Sequence, residues 1–252
     1  MLWFYGLPLV VLFLTLNVLV GLAALLLWWL PTTPQAFPVV RAAKEVSPVL
    51  QTICGTLFVL ATTFLSSNVW TTEDKAYEAI AIEAREVRQL RTLSRLFAEP
   101  RRSELTNLVS EYATQSAAEW PHMEELGGSR EAEQVLSALY GAAISMAPNE
   151  QMLAGEFMRA LNAAGEARER RLDIARNNVN SDQWAVMLIL ALILGVAVTI
   201  VHAEHVRGRA IALGLVSVMV ATALFLLIAH DRPFIGWEAL GPLPVIQAAK
   251  GL

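Results

Sequence analysis

Charge is scarce and unevenly placed in this sequence: 17% of its 252 residues are Asp, Glu, Lys or Arg, against 55% hydrophobic ones. That is too little for an ordinary soluble domain of this length. No charged side chain occurs in Leu2 to Leu30, Val46 to Trp70, Trp184 to Val201 or Ala210 to Ala229. The single cysteine, Cys54, excludes disulfides and cysteine-based metal clusters within one chain. Lying inside an apolar stretch, it reads as a small buried hydrophobe. Alternating apolar segments are missing too, which excludes a closed membrane β-barrel. No glycine-rich phosphate loop and no fixed-period repeat is present.

A bilayer core about 30 Å thick needs about 20 apolar helical residues, so each of the four charge-free stretches is long enough to cross, the third only just. The first is expected to be a retained span rather than a cleaved signal: no Lys or Arg precedes it, it outruns a signal core, and no small-residue cleavage site follows Trp28-Trp29. Trp3, Phe4 and Tyr5 at one end and Trp28 and Trp29 at the other suit aromatic belts. The chain therefore reads as an all-α integral membrane protein with spans 1 and 2 in residues 1–70 and a helical soluble domain in 71–183. Spans 3 and 4 occupy 184–230, and a tail occupies 231–252.

Four spans put both termini and the domain on one side. Arg41, Lys44, Arg207 and Arg209 lie in the short opposite loops, and Lys75, Arg85, Arg88, Arg168, Arg170, Arg171, Arg176 and Arg232 lie on the domain side. The balance favours a domain inside the cell.

Within the domain, Ile80, Ala84, Val87, Leu90 and Phe97 form one apolar stripe on a helix that runs to Pro100. A second helix starts near Ser103 as N-cap and carries Leu105, Leu108, Val109 and Tyr112. Gly127-Gly128-Ser129 reads as a loop. A third helix carries Val135, Leu136, Leu139 and Tyr140, and a fourth starts near Asn149 with Leu153, Phe157, Leu161 and Ala164. Neither Gly nor Pro interrupts the chain between Gly55 and Glu99. Span 2 and the first domain helix are thus expected to form one rod of about 45 residues, roughly 65 Å long. The same expectation holds from Glu166 to Leu194.

Thr52, Thr56, Val59, Thr63, Ser67 and Trp70 fall within a sector of about 80° on span 2, and Asp74 and Tyr77 continue it beyond the membrane. Leu50, Leu57, Ala61, Phe64 and Leu65 take the opposite face. A polar stripe at membrane depth turns away from lipid, either to pack against other spans or to line water. Threonine satisfies itself by bonding one turn back, so spacing leaves both open. No charge lies within a span, which argues against a proton-coupled pump or a voltage sensor.

His202 and His205 share a helix face but offer only two ligands, too few for a metal site. His122 and His230 are isolated. No nucleophile, histidine and acid arrangement and no paired carboxylates at membrane depth support catalysis, so neither enzyme activity nor a cofactor is expected. Glu166, Arg168, Glu169, Arg170, Arg171, Asp173 and Arg176 read as a solvated helix face, or as arginines against anionic headgroups. Residues 71–183 hold 19 acidic and 13 basic side chains, a net negative balance that excludes nucleic acid as a partner.

A Trp soon after span 2, Tyr77-Glu78-Ala79, Ile82-Glu83-Ala84, Glu99-Pro100, Tyr112, Glu119-Trp120-Pro121 and Asp231-Arg232-Pro233-Phe234 with Gly236 follow in this order. The pattern, over nearly the whole chain, resembles the bestrophin-like domain family of bacterial membrane proteins. The resemblance implies an oligomeric ion channel in the cell inner membrane, with the domain in the cytoplasm and span 2 along the pore. Partners would be further copies of the chain (four or five), membrane lipids and inorganic ions. Pore-lining residues would be Thr52, Thr56, Val59, Thr63, Ser67 and Trp70, with Asp74 and Tyr77 at the mouth. Phe58 and Phe64 lie off the stripe, so the phenylalanine-rich neck of bestrophins is unmatched and anion selectivity does not carry over. The sign of selectivity stays open, tilted towards cations by Asp74. The other reading is a membrane adaptor or sensor subunit whose domain binds a partner or ligand.

Overall fold

A computed structural model describes residues 7–33, 40, 48–123, 128–145, 150–176, 179, 181–236 and 239–251. Trp3, Phe4, Tyr5, Arg41, Lys44, Gly127 and Asn149 lie outside the described residues. Among those described, every regular element is helical: α1 (Leu9–Trp29), α2 (Pro48–Ser94), α3 (Arg101–Ala118), α4 (Arg130–Ile144), α5 (Gln151–Arg176), α6 (Ser181–Val201), α7 (Val206–His230) and α8 (Leu243–Lys250). Short 3-10 turns cover Leu30–Thr32 and Trp120–His122. Four helices are long and apolar enough to cross a membrane: α1 with its following turn, α2, α6 and α7.

Two compact units result, one of Met1–Thr71 and Val179–Glu238, the other of Thr72–Asn178 and Ala239–Leu252. Helix α2 contributes to both. Its 47 residues form a single element, as the absence of Gly and Pro after Gly55 allows.

In the first unit α1 packs chiefly against α7, with Phe13 edge-on to Phe225 at 5.3 Å. The core joins Leu12 and Leu16 of α1, Cys54, Phe58, Leu65 and Val69 of α2, Met187 and Leu194 of α6, and Leu213, Val220 and Leu224 of α7. Cys54 is buried, as its setting led one to expect. Helices α1 and α6 come close at Gly195, where an added Cβ would stand 2.7 Å from Leu27 Cδ1 and would make that leucine tip shift. Outward, Leu14, Val18, Leu22 and Leu25 of α1 and Ile211, Leu215 and Val218 of α7 are exposed. A helix apolar on all sides has lipid as its natural outer neighbour.

The second unit buries the apolar stripe read from the sequence, Ile80, Ala84, Val87, Leu90 and Phe97. Opposite it lie Leu105, Val109 and Tyr112 of α3, Val135, Leu136 and Leu139 of α4, and Phe157, Leu161 and Ala164 of α5. Phe97 and Phe157 meet edge to face at 6.4 Å, and α8 packs on α3. Burying each of the Val, Leu, Ile and Phe side chains among them stabilises by about 1.5–3 kcal/mol.

Three boundaries differ from expectation. Helix α2 ends at Ser94 rather than at Pro100. Helix α3 begins at Arg101, so Ser103 lies inside its first turn instead of capping it, and Glu99 accepts from both Ser103 N and Ser103 Oγ. The continuous rod from Glu166 to Leu194 does not form. Helix α5 ends at Arg176, Val179 is not helical and α6 starts at Ser181. The Val179 N–H donates to the Asp231 carboxylate at 3.0 Å instead of to a helical carbonyl. The asparagines at 177, 178 and 180 are weak helix formers that favour such breaks.

Candidate functional site

Every residue of the span-2 stripe is exposed in the chain by itself: Thr52, Thr56, Val59, Thr63, Ser67 and Trp70. The face that packs inside the chain is another one, formed by Cys54, Phe58, Leu65 and Val69, with Phe58 only 2% exposed. At 100° per residue this packing face is centred roughly 150° from the stripe. The stripe is therefore not used for packing against the chain's own spans. Two of its threonine hydroxyls are satisfied locally: Thr56 Oγ1 donates to the Thr52 carbonyl at 2.9 Å and Thr63 Oγ1 to the Val59 carbonyl at 2.8 Å. Thr52 Oγ1 makes a longer bond of 3.4 Å to Pro48.

The side opposite the stripe is covered only in part. Leu65 is buried and Ala61 half-buried, but Leu50, Leu57 and Phe64 are exposed, Phe64 by 74%. Helix α2 thus has three sides: one packed within the chain, one polar and open, and one apolar and open that carries Ile53, Leu57, Leu60 and Phe64. Two faces suffice for a helix in an isolated bundle. A third, apolar and beside a polar one, suits a helix with lipid or another protein on one flank and water on the other. Asp74 and Tyr77 are exposed on the part of α2 that belongs to the second unit.

The second unit holds a constellation that pattern reading missed. Arg171 is fully buried and donates through Nε to Glu83 at 2.9 Å and through Nη2 to Ser116 Oγ at 2.8 Å and Glu119 at 3.2 Å. Its Nη1 donates to the Met123 sulfur, and the guanidinium lies 4.0 Å from the centre of the Trp120 ring. Arg168 bonds Glu119 at 2.6 Å and Glu133 at 3.0 Å. Glu83 also accepts from Tyr112 at 3.1 Å and Ser116 at 2.6 Å, and Glu119 from Ser129 N at 2.8 Å. The Trp120 indole donates to the Leu240 carbonyl at 2.7 Å. Burial first, and the Glu83 charge second, raise the Tyr112 phenol well above its ordinary value of 10.0. Burial lowers the pKa of Arg168, and the hydrogen bond and charge of Glu119 more than offset it, so the guanidinium is held firmly charged.

The reading of Glu166 to Arg176 as a solvated face is thereby corrected. Glu166, Glu169, Arg170, Asp173 and Arg176 are exposed, but Arg168 and Arg171 are buried. The signal was in the spacing: Phe157, Leu161, Ala164, Arg168, Arg171 and Ala175 recur three or four apart, placing both arginines on the apolar side of α5. Glu83, Tyr112, Glu119 and Trp120, singled out as short motif pieces, meet in this one network. Asp231, the first residue of another such piece, is 4% exposed and accepts from Val179 N.

No group of three His, Cys, Asp or Glu side chains is placed to hold a metal among the described residues. His202 Nδ1 lies 3.0 Å from the Val198 carbonyl and His230 Nδ1 3.1 Å from that of Leu226. Arg209, at the start of α7, is buried and donates to the Ala203 carbonyl at 3.0 Å, closing the turn after α6. A cation there complements the carboxyl end of α6.

The family profile described as the Bestrophin-like domain matches residues 17–244. Among solved structures, a bacterial bestrophin homologue from Klebsiella pneumoniae carrying a single substitution is similar over 97% of both chains, with a TM-score of 0.71 and 11% identity. A second, described as a membrane protein variant, is similar over 97% of both chains, with a TM-score of 0.70 and 11% identity. At that identity the likeness is one of fold. No curated protein matches in sequence.

Proposed function

The chain belongs to the Bestrophin-like domain family, and from that premise we propose that it is a homo-oligomeric ion channel whose pore is lined by the polar face of α2. One observation carries this reading. Thr52, Thr56, Val59, Thr63, Ser67 and Trp70 are all left open by the chain's own packing, which uses a different side of the same helix. A polar stripe turned to lipid would gain nothing from its hydroxyls, whereas a ring of such helices places every stripe on one axis, in contact with water. The exposed apolar flank of α2 then meets neighbouring subunits or lipid. Four or five subunits give an axis wide enough for a hydrated path. In this arrangement the membrane is the bacterial inner membrane and the charged domain lies in the cytoplasm. Asp74 and Tyr77 line the mouth, and inorganic ions permeate, cations ahead of anions, because a ring of Asp74 carboxylates concentrates cations there.

The test is conductance of the purified protein in planar bilayers, with mass measured in lipid and in mild detergent. Currents should appear from an oligomer, and Thr63→Phe should close them, since a ring of bulky apolar groups excludes water. Leu57→Phe, on the apolar flank, should conduct like the parent. A monomeric mass, or silent bilayers under every ionic condition, would favour the adaptor reading instead.

A further inference from the structure

We infer that the threonine segment of α2 selects by sign on its own account, favouring cations through contact, because its hydroxyls have already given their protons to their own helix. The inference rests on the pore reading above. A threonine hydroxyl has one proton and two lone pairs. In Thr56 and Thr63 the proton is directed at the carbonyl one turn back, at 2.9 and 2.8 Å. What each side chain turns outward is therefore its methyl group and acceptor lone pairs, without a donor. Between them Val59, 53% exposed, adds neither donor nor acceptor.

An ion passing this segment meets oxygen. A cation takes the lone pairs in place of its water. An anion needs a donor, and Thr56 or Thr63 can supply one only by giving up its hydroxyl bond to the Thr52 or Val59 carbonyl, which then keeps its helical N–H donor alone. The same polarity is passed on through water: a molecule held by such a hydroxyl donates to it and so turns its own oxygen towards the axis. Donors on the stripe, the Ser67 hydroxyl and the Trp70 indole, lie further along, past the threonines.

This mechanism differs from that of Asp74. A fixed charge at a mouth acts through its potential and is screened to about 3 Å at 1 M salt, whereas selection by contact with an acceptor surface persists there. The two are separable.

Reversal potentials across a KCl gradient, measured near 1 M salt in an Asp74→Asn background, isolate the threonines. The background protein should still prefer potassium. Adding Thr63→Asn, whose amide brings N–H donors not committed to the backbone, should lower the potassium-to-chloride permeability ratio by about fivefold, the factor carried by one net hydrogen bond. Thr63→Ser should leave the ratio in place. Thr56→Asn repeats the test one ring away, should the change at 63 prevent assembly. A conducting protein whose ratio is indifferent to both Asn substitutions, or whose background prefers chloride at high salt, would overturn the inference and leave the channel standing. Bilayers silent even with the unaltered protein would overturn the channel, and this inference with it.

Discussion

Replacing Arg171 by Met should destabilise the second unit about as much as truncating one of its fully buried phenylalanines. The guanidinium is fully buried and bonded to Glu83, Glu119 and Ser116 at once. Without it Glu119 keeps Arg168 at 2.6 Å and Ser129 N at 2.8 Å. Glu83 keeps only two hydroxyl donors, Tyr112 at 3.1 Å and Ser116 at 2.6 Å. A carboxylate at 0% exposure is then left with no cation of its own, which costs about 3–5 kcal/mol. For a domain of this size that lowers the midpoint of thermal unfolding by about 10–20 °C. Glu83→Gln in the same chain removes the stranded charge, so the double variant should recover at least half of the loss. The residual is the cost of the missing packing and of the Trp120 face left uncovered. The assay is thermal unfolding of the full chain in detergent, with amide exchange in α3 and α5 to locate the weakened region. A midpoint within about 3 °C of the parent, or a double variant no better than the single, would refute the claim that Arg171 serves chiefly to neutralise Glu83.

Other expectations follow from the same structure. A thiol placed at Ser129 in a Cys54→Ala background should resist a membrane-impermeant reagent in intact cells and react after permeabilisation; ready labelling of intact cells would reverse the topology. Asp74→Asn should move reversal potentials towards anions at low salt, with the effect fading near 1 M, where the Debye length is about 3 Å; a low-salt reversal potential that does not move would remove Asp74 from the mouth. Tyr112 has a folded-state pKa above its unfolded value of 10.0, so the stability it brings is complete below pH 10 and is lost as pH rises through the folded value. The stability gap between the parent and Tyr112→Phe should accordingly shrink above about pH 10, and a gap constant into strong alkali would contradict it.

The spans were legible because lipid demands long runs without charge, and those runs stand out in one dimension. The 47-residue α2 was legible because neither Gly nor Pro interrupts it after Gly55, a signal that only permits continuity, as the break at Val179 in the equally uninterrupted segment from Glu166 to Leu194 shows. Its stripe was legible as a pattern, but which sides of the helix the chain itself covers depends on α6 and the core around it. Leu57 and Phe64 are open, whereas Leu65, grouped with them by spacing, is buried.

The buried network was hidden by an otherwise sound rule. Charged residues are almost never buried unless paired, so a run of alternating acids and arginines reads as surface. The pairing that overrides the rule joins Glu83, Glu119 and Arg171, which are 36 to 88 positions apart. The break before α6 depends likewise on Asp231, which reaches back 52 positions to Val179. Local pattern contains neither partner, and only the short motif pieces marked the places.

The central claim is that one particular side of α2 faces a water-filled conducting path. It is tested most directly by placing single cysteines along α2 in a Cys54→Ala background and applying a water-soluble thiol reagent to the conducting protein. Block at Thr56→Cys, Val59→Cys, Thr63→Cys and Ser67→Cys, with little effect at Ile53→Cys, Leu57→Cys, Leu60→Cys and Phe64→Cys, is the result expected. Equal reactivity of both sides, or block confined to the apolar one, would contradict it.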